Sequence, residues 1–150
     1  MKIANSYFEG LTHATETLTP FDDNCRRIEN GIVTANNRAV PEGGIPVWSL
    51  GCHAQFATHF SQFITRKRDR RYPIVNEERG LVYAEVYFDH AGVIESQVLA
   101  DGTVSPVPPD MTVPFTFEIG ELFKIRDGNI LHIEALVIPA PHGMGSGWGE

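Results

Sequence analysis

Arg27 and Glu29 raise the first chemical question because they stand two positions apart in a segment that reads as a strand. Strand alternation puts both on one face, where a carboxylate–guanidinium couple forms naturally. Glu29 then has two readings. Lowered into an apolar interior it loses hydration, holds its proton more tightly and becomes an acid or base near neutral pH. Paired with Arg27 or Arg71 it belongs to a structural ion network, which lowers its pKa and weakens it as a base. Tyr7 lies on an amphipathic helix pattern and is either a core tyrosine or a buried phenol able to stabilise developing negative charge. Alternation also separates Tyr83, Glu85 and Tyr87 from Val82, Ala84, Val86 and Phe88. If the polar set points inward, Tyr83 and Glu85 join Glu29; an apolar inner face, the commoner arrangement, turns them outward.

The histidines offer less. His53 and His59 are six residues apart, which puts them on different faces of a helix and excludes an i, i+4 metal pair; no metal and no cofactor is expected. His53 either caps its helix or acts as an acid at a pocket mouth. His132 and Glu134 share one face of the last strand, and His142 sits on an irregular tail. Cys25 and Cys52 lack the paired spacing of a zinc site or a disulfide framework and read as buried small hydrophobes. With no N-terminal apolar segment of the signal-peptide kind, a reduced, cytoplasmic setting is expected.

The elements must position these groups. With 150 residues and 42% hydrophobic content, the chain is expected to form one domain with a sizeable core. A net charge of −7 argues against a nucleic-acid partner. The basic run Arg66-Lys67-Arg68-Asp69-Arg70-Arg71 reads as a helix end or strand start in water. No apolar run is long enough to span a bilayer, so no membrane partner is expected. Helical periodicity predicts helices over residues 3–18 and 49–64, the second with Phe56, Phe60 and Phe63 on its buried face. Residues 19–24 read as a tight connection or one short helical turn. Strands are predicted at 25–35, interrupted at Asn30-Gly31, and at 71–75, 81–88, 113–125 and 130–138. The prolines at 106, 108 and 109 mark 101–109 as a loop. Met144 and Trp148 suggest that the tail folds back over something apolar. Helices ahead of a long antiparallel sheet give an α+β layer architecture.

Two stretches carry a family resemblance. Phe21-Asp22-Asp23-Asn24-Cys25 leading into Arg27-Ile28-Glu29-Asn30-Gly31, and Leu122-Phe123-Lys124-Ile125-Arg126-Asp127-Gly128-Asn129-Ile130, resemble nuclear transport factor 2-like (SnoaL-like) domains. The terminal Gly143-Met144-Gly145-Ser146-Gly147-Trp148 is similar to a motif in one branch of that superfamily. The resemblance implies a curved antiparallel sheet wrapped around N-terminal helices into a cone, with a pocket at its mouth and homodimers formed through the outer sheet face. It also implies Glu29 as proton-abstracting base and Tyr7 as hydrogen-bond donor to a substrate oxygen, and a polar orienting group near His132 and Glu134.

The leading expectation is a cofactor-independent lyase or isomerase. Dehydration, double-bond migration and loss of formaldehyde all fit, on a small aromatic or apolar oxygenated molecule such as a lignin-derived dimer, a polyketide or a terpenoid. The catalytic set expected is Glu29, Tyr7, His53, Tyr83 and Glu134. Phe8, Arg27, Phe56, Phe60, Phe115, Phe117, His132 and Trp148 are expected to line the pocket. The alternative is a non-catalytic small-molecule-binding or dimeric interaction module of the same shape.

Overall fold

The computed structural model describes residues 1–40 and 46–148. Helix α1 (Lys2–His13) buries Ala4, Tyr7, Phe8 and Leu11 along one stripe. It stops earlier than its periodicity suggests, because Ala14 turns left-handed (φ 48°) and donates its N–H to the Gly10 carbonyl. Strand β1 (Phe21–Glu29) takes in residues 21–24, expected as a turn. The cause is non-local: Ile130 donates its N–H to the Pro20 carbonyl, and Phe21 pairs with Ile130. Asn30 (φ 48°) and Gly31 (φ 82°) form the positive-φ turn into β2 (Ile32–Val33).

Helix α2 (Cys52–Ala57) is far shorter than the aromatic spacing suggests. Thr58 turns its hydroxyl onto the Gln55 carbonyl, and His59 takes φ 59°, so Phe60 and Phe63 reach the interior from turns rather than from a helix. Next come β3 (Arg66–Asn76) and β4 (Leu81–His90), then β5 (Ser96–Val98) and β6 (Val104–Pro106), and finally β7 (Phe115–Arg126) and β8 (Asn129–Ala140). β5 and β6 form a small hairpin where only a loop is expected; Pro106 ends it, opposite Ser96.

The main sheet runs β2-β1-β8-β7-β4-β3. It is antiparallel except where β1 lies parallel to β8. This is an α+β architecture: one curved six-stranded sheet with α1 and α2 on its inner face. Val82, Ala84, Val86 and Phe88 of β4, Ile119 and Phe123 of β7, and Ile133 and Ala135 of β8 meet Ala4, Tyr7, Phe8 and Leu11 of α1 there.

The basic run forms the first half of β3, and its arginines are tied into the scaffold. Arg70 pairs with Glu9 on α1, Arg71 with Glu85 at 3.2 Å, and Arg68 with Asp89 at 2.7 Å. Asp89, itself buried, also accepts from Thr116 Oγ1 at 2.6 Å. Arg68 Nη2 reaches the Met144 carbonyl at 2.7 Å, and the Gly143 N–H donates to Thr116 at 2.9 Å. One carboxylate thus fastens β3, β4, β7 and the tail together. Asp89→Asn is expected to cost about 2 kcal/mol, since it removes the charge from hydrogen bonds of this class. Urea unfolding measures that loss, and an unchanged midpoint would contradict the account.

The two cysteines correct the sequence reading. Cys25 on β1 and Cys52 at the start of α2 form a disulfide, their Cα atoms 5.8 Å apart. They are not free buried thiols, and the argument for a reducing, cytoplasmic setting loses its basis. Residues 27 apart carry no local sign that they meet; the pairing is created when α2 docks on β1.

Candidate functional site

The interior face of the sheet is largely apolar, and among the described residues Glu121 is the one carboxyl buried in it. On β7, alternation sends Ile119, Glu121 and Phe123 inward, and Glu121 is 2% exposed. Its cross-strand neighbours are Ala84 on β4 and Ala135 on β8. Two small side chains flanking a carboxyl leave it room but supply no partner. The partner comes from α1, where the Tyr7 hydroxyl donates to the Glu121 carboxyl. Tyr7 in turn accepts from Arg27 Nη1 at 3.3 Å. Arg27, 6% exposed, holds Thr34 Oγ1 and Glu29 Oε1 with its Nε, each at 3.1 Å. A polar line therefore runs from the core carboxyl through a phenol and a guanidinium to Glu29, whose side chain is 35% exposed.

Burial dominates the proton affinities. It pushes the Glu121 carboxyl up to about 8, with Glu29 adding to the rise and Arg27 and Tyr7 opposing it. Glu121 is consequently a neutral carboxylic acid over most of the physiological range. Burial, reinforced by Glu121, also raises the Tyr7 phenol well above its ordinary value. For Arg27, burial works against the charge, but Glu29, Tyr7 and Glu121 outweigh it, so the guanidinium stays firmly protonated.

Aromatic side chains close around this line. Tyr7 meets Phe56 at 5.2 Å, Phe123 at 5.3 Å and Phe8 at 5.4 Å between ring centroids. Phe60 is half-buried, with the Arg27 guanidinium 5.9 Å from its ring centre. Where an aromatic-walled cavity is expected, these rings pack on one another. Two pockets stand out among the described residues, and neither borders Glu121. One, of about 290 Å³, lies between the start of α1 and the β3–β4 turn. The other, of about 140 Å³, lies on the outer face of the sheet.

The remaining expected site residues are spread over the molecule. His53 is exposed on α2. His132 and Glu134 share a face of β8, but it is the face opposite the buried Ile133 and Ala135. Tyr83, Glu85 and Tyr87 line the outer pocket. Trp148 is not an interior wall: it lies on the outer face, 73% exposed, with the Arg71 guanidinium 4.7 Å from its ring centre. Phe115 and Phe117 gather at the far end of the sheet around His90, at 4.2 and 5.1 Å. Burial there lowers the His90 pKa to about 4, despite the Phe88 carbonyl at 3.2 Å from Nδ1. Motif position points to neither Glu121 nor His90. For Glu121 the pattern Phe117-x-Ile119-x-Glu121-x-Phe123 carries the signal, a lone carboxyl on an otherwise apolar strand face. Among the described residues no three His, Cys, Asp or Glu side chains are grouped to hold a metal ion. No helix among them is long and apolar enough to cross a membrane.

A curved sheet closed by helices over a buried carboxyl–phenol–guanidinium line defines an α+β domain of the cone-shaped kind. The chain belongs to the family described as Domain of unknown function (DUF8021), whose model matches residues 1–137. No curated protein matches it. Among solved structures it is similar to a de novo designed protein with a curved β-sheet, at 13% identity and TM-score 0.43, covering 89% of this chain and 86% of that one. It is also similar to AclR, a putative hydroxylase from Streptomyces galilaeus, at 9% identity and TM-score 0.41, covering 91% and 89%. A third is the C. albicans Mtr2-Mex67 M domain complex, at 11% identity and TM-score 0.42, covering 93% and 94%.

Proposed function

We propose that the interior line is an acid–base centre acting on a small aromatic or apolar ketone or alcohol, with Glu121 as the proton-transferring group. The observation that carries this reading is a carboxyl held neutral inside the sheet and joined to a phenol. A proton affinity near 8 suits both halves of a proton transfer at neutral pH, and strongly shifted groups of this kind gather at functional sites. The ionised Glu121 carboxylate takes the proton next to a carbonyl, and the C–H electrons form the new double bond. The carbonyl oxygen, now negative, takes the one hydrogen bond of Tyr7, which the Glu121 carboxyl gives up as it becomes protonated, and the Tyr7 oxygen is held by Arg27. Glu121 then returns the proton to a second carbon, completing an isomerisation, or to a departing β-hydroxyl, which leaves as water and completes a dehydration. Glu29, paired with Arg27, serves here to fix and neutralise the guanidinium rather than as the base. Glu29 and Phe60 are the two half-exposed members of the group.

The test is α-proton exchange of 1-tetralone in deuterated buffer, followed by proton NMR. Exchange should accelerate as pH rises to about 8, where Glu121 ionises, and should fall roughly 100-fold or more in Glu121→Gln. Equal rates for wild type and variant overturn the acid–base reading. They leave the second reading, a binding module, which the packing of Tyr7 against Phe56 and Phe123 favours.

We further infer an oxidising compartment, on the strength of the Cys25–Cys52 disulfide. A homodimer is the partner arrangement proposed from the resemblance.

A further inference from the structure

The outer-face pocket contains an unmet demand for hydrogen-bond acceptors. Arg71 projects into it from β3; its Nη2 meets Glu85 at 3.2 Å, while Nε and Nη1 are buried and carry no hydrogen bond. Buried guanidinium donors without acceptors are costly. The walls are mixed. Tyr83 and Tyr87 come from β4, Glu118 from β7 and Trp148 from the tail, over a floor of Leu136 and Ile138. A Cβ at Gly120 would collide with the Tyr83 hydroxyl, so glycine is what lets that phenol lie close over β7.

Three ligand classes can be compared on these groups. An anion would satisfy Arg71, but it would sit beside Glu85 and Glu118, which together outweigh the one guanidinium. An organic cation would suit the carboxylates and aromatic rings, yet it would stand beside a guanidinium of its own sign and leave Arg71 Nε and Nη1 without acceptors. A neutral polyol answers every group present. Inserted between the Trp148 ring and the guanidinium that the ring covers, it would accept from Nε and Nη1 with its hydroxyl oxygens, donate to Glu85 and Glu118 with its hydroxyl hydrogens, and lay its C–H face against the indole. Trp148 is open enough to offer that ring. The volume, about 140 Å³, is below that of drug-sized clefts and suits a single sugar ring.

We propose that this pocket is a carbohydrate-binding subsite for one neutral sugar unit, with Arg71 as the hydrogen-bonding anchor and Trp148 as the stacking platform. It is independent of the interior line, which lies on the other face of the sheet. The tail that carries Trp148 is held in place by the Arg68–Met144 and Gly143–Thr116 hydrogen bonds.

The test follows the two indole N–H signals of 15N-labelled protein while cellobiose, maltose, mannobiose and chitobiose are added to about 50 mM, a range that captures millimolar binding. The Trp148 signal is identified by its loss in Trp148→Ala. At least one sugar should move that signal saturably and leave Trp48 in place. Arg71→Met should weaken the interaction about tenfold or more. Trp148→Ala should abolish binding without lowering thermal stability, since its side chain is mostly solvated. The proposal is overturned if no sugar moves the Trp148 signal. It is equally overturned if benzoate moves it and sugars do not, or if it shifts on dilution alone, which would assign this face to a second copy of the chain.

Discussion

The Glu121 carboxyl is expected to take stability from the folded state as pH rises from about 5 to about 8, while His90, held down to about 4, returns stability up to about pH 6.5. Glu121→Gln is expected to remove the Glu121 share. In the unfolded chain Glu121 titrates as an ordinary carboxyl near 4.5, whereas in the folded state burial pushes it up to about 8. Below the lower value both states hold the proton, and the side chain costs nothing extra. Between the two the unfolded state gives up its proton while the folded state keeps it, so stability falls as pH climbs and levels off once both are ionised. The full effect is on the order of 5 kcal/mol. Glutamine keeps the shape and the ability to accept from Tyr7 but cannot ionise. The variant should therefore match wild type near pH 5 and be clearly more stable near pH 9, as read from urea midpoints at fixed pH. A scaffold carboxylate would behave in the opposite way, with glutamine destabilising at high pH. Gain of alkaline stability together with loss of proton exchange is the signature of a group retained for chemistry at the expense of the fold.

Removing the disulfide is the second large effect. Closing a loop with 27 residues of separation lowers the entropy of the unfolded chain by the equivalent of about 3.5 kcal/mol at 25 °C. The Cys25→Ala/Cys52→Ala double variant should lose about that much, a fall in Tm of roughly 10 °C for a chain of this size. Reducing agent should act on wild type in the same way and leave the double variant unmoved. The loss would also reach the site. Cys25 precedes Arg27 by two positions on the same face of β1, and α2 presents Phe56 to Tyr7. Loosening α2 should therefore let water toward Glu121 and bring its titration down toward the ordinary carboxyl range.

The parts of the fold legible in the sequence are those with local causes. Strands β4, β7 and β8 declare themselves by alternation and by Asp127-Gly128, whose φ values of 51° and 82° form the turn between the last two. The parts that mislead are decided at a distance. Phe21 to Asn24 is rich in turn-forming residues yet extends as strand because β8 lies alongside. Phe60 and Phe63 continue a helical spacing, but the left-handed His59 ends the helix before them. The disulfide needs two elements to dock before its cysteines are neighbours. The candidate site divides in the same way. Tyr7, Arg27 and Glu29 are legible from helix periodicity and strand alternation, and the structure brings them into one line. Glu121 is written in the sequence as plainly, as the single acid on an apolar strand face. Reading by motif position favours Glu29 instead, because only burial reveals which of the two carboxyls has lost its water. Trp148 shows the reverse: its apolar surface suggests a tail folded over something apolar and a place in the pocket wall, while Arg68 and Thr116 tether the tail to the outer face.

The most direct measurement is the carboxyl 13C chemical shift of Glu121, identified by its absence in Glu121→Gln and followed from pH 4 to pH 10. A midpoint near 8 is the predicted result. A midpoint in the ordinary carboxylate range, about 4, would mean that the carboxyl is solvated and would contradict an acid–base centre inside the sheet.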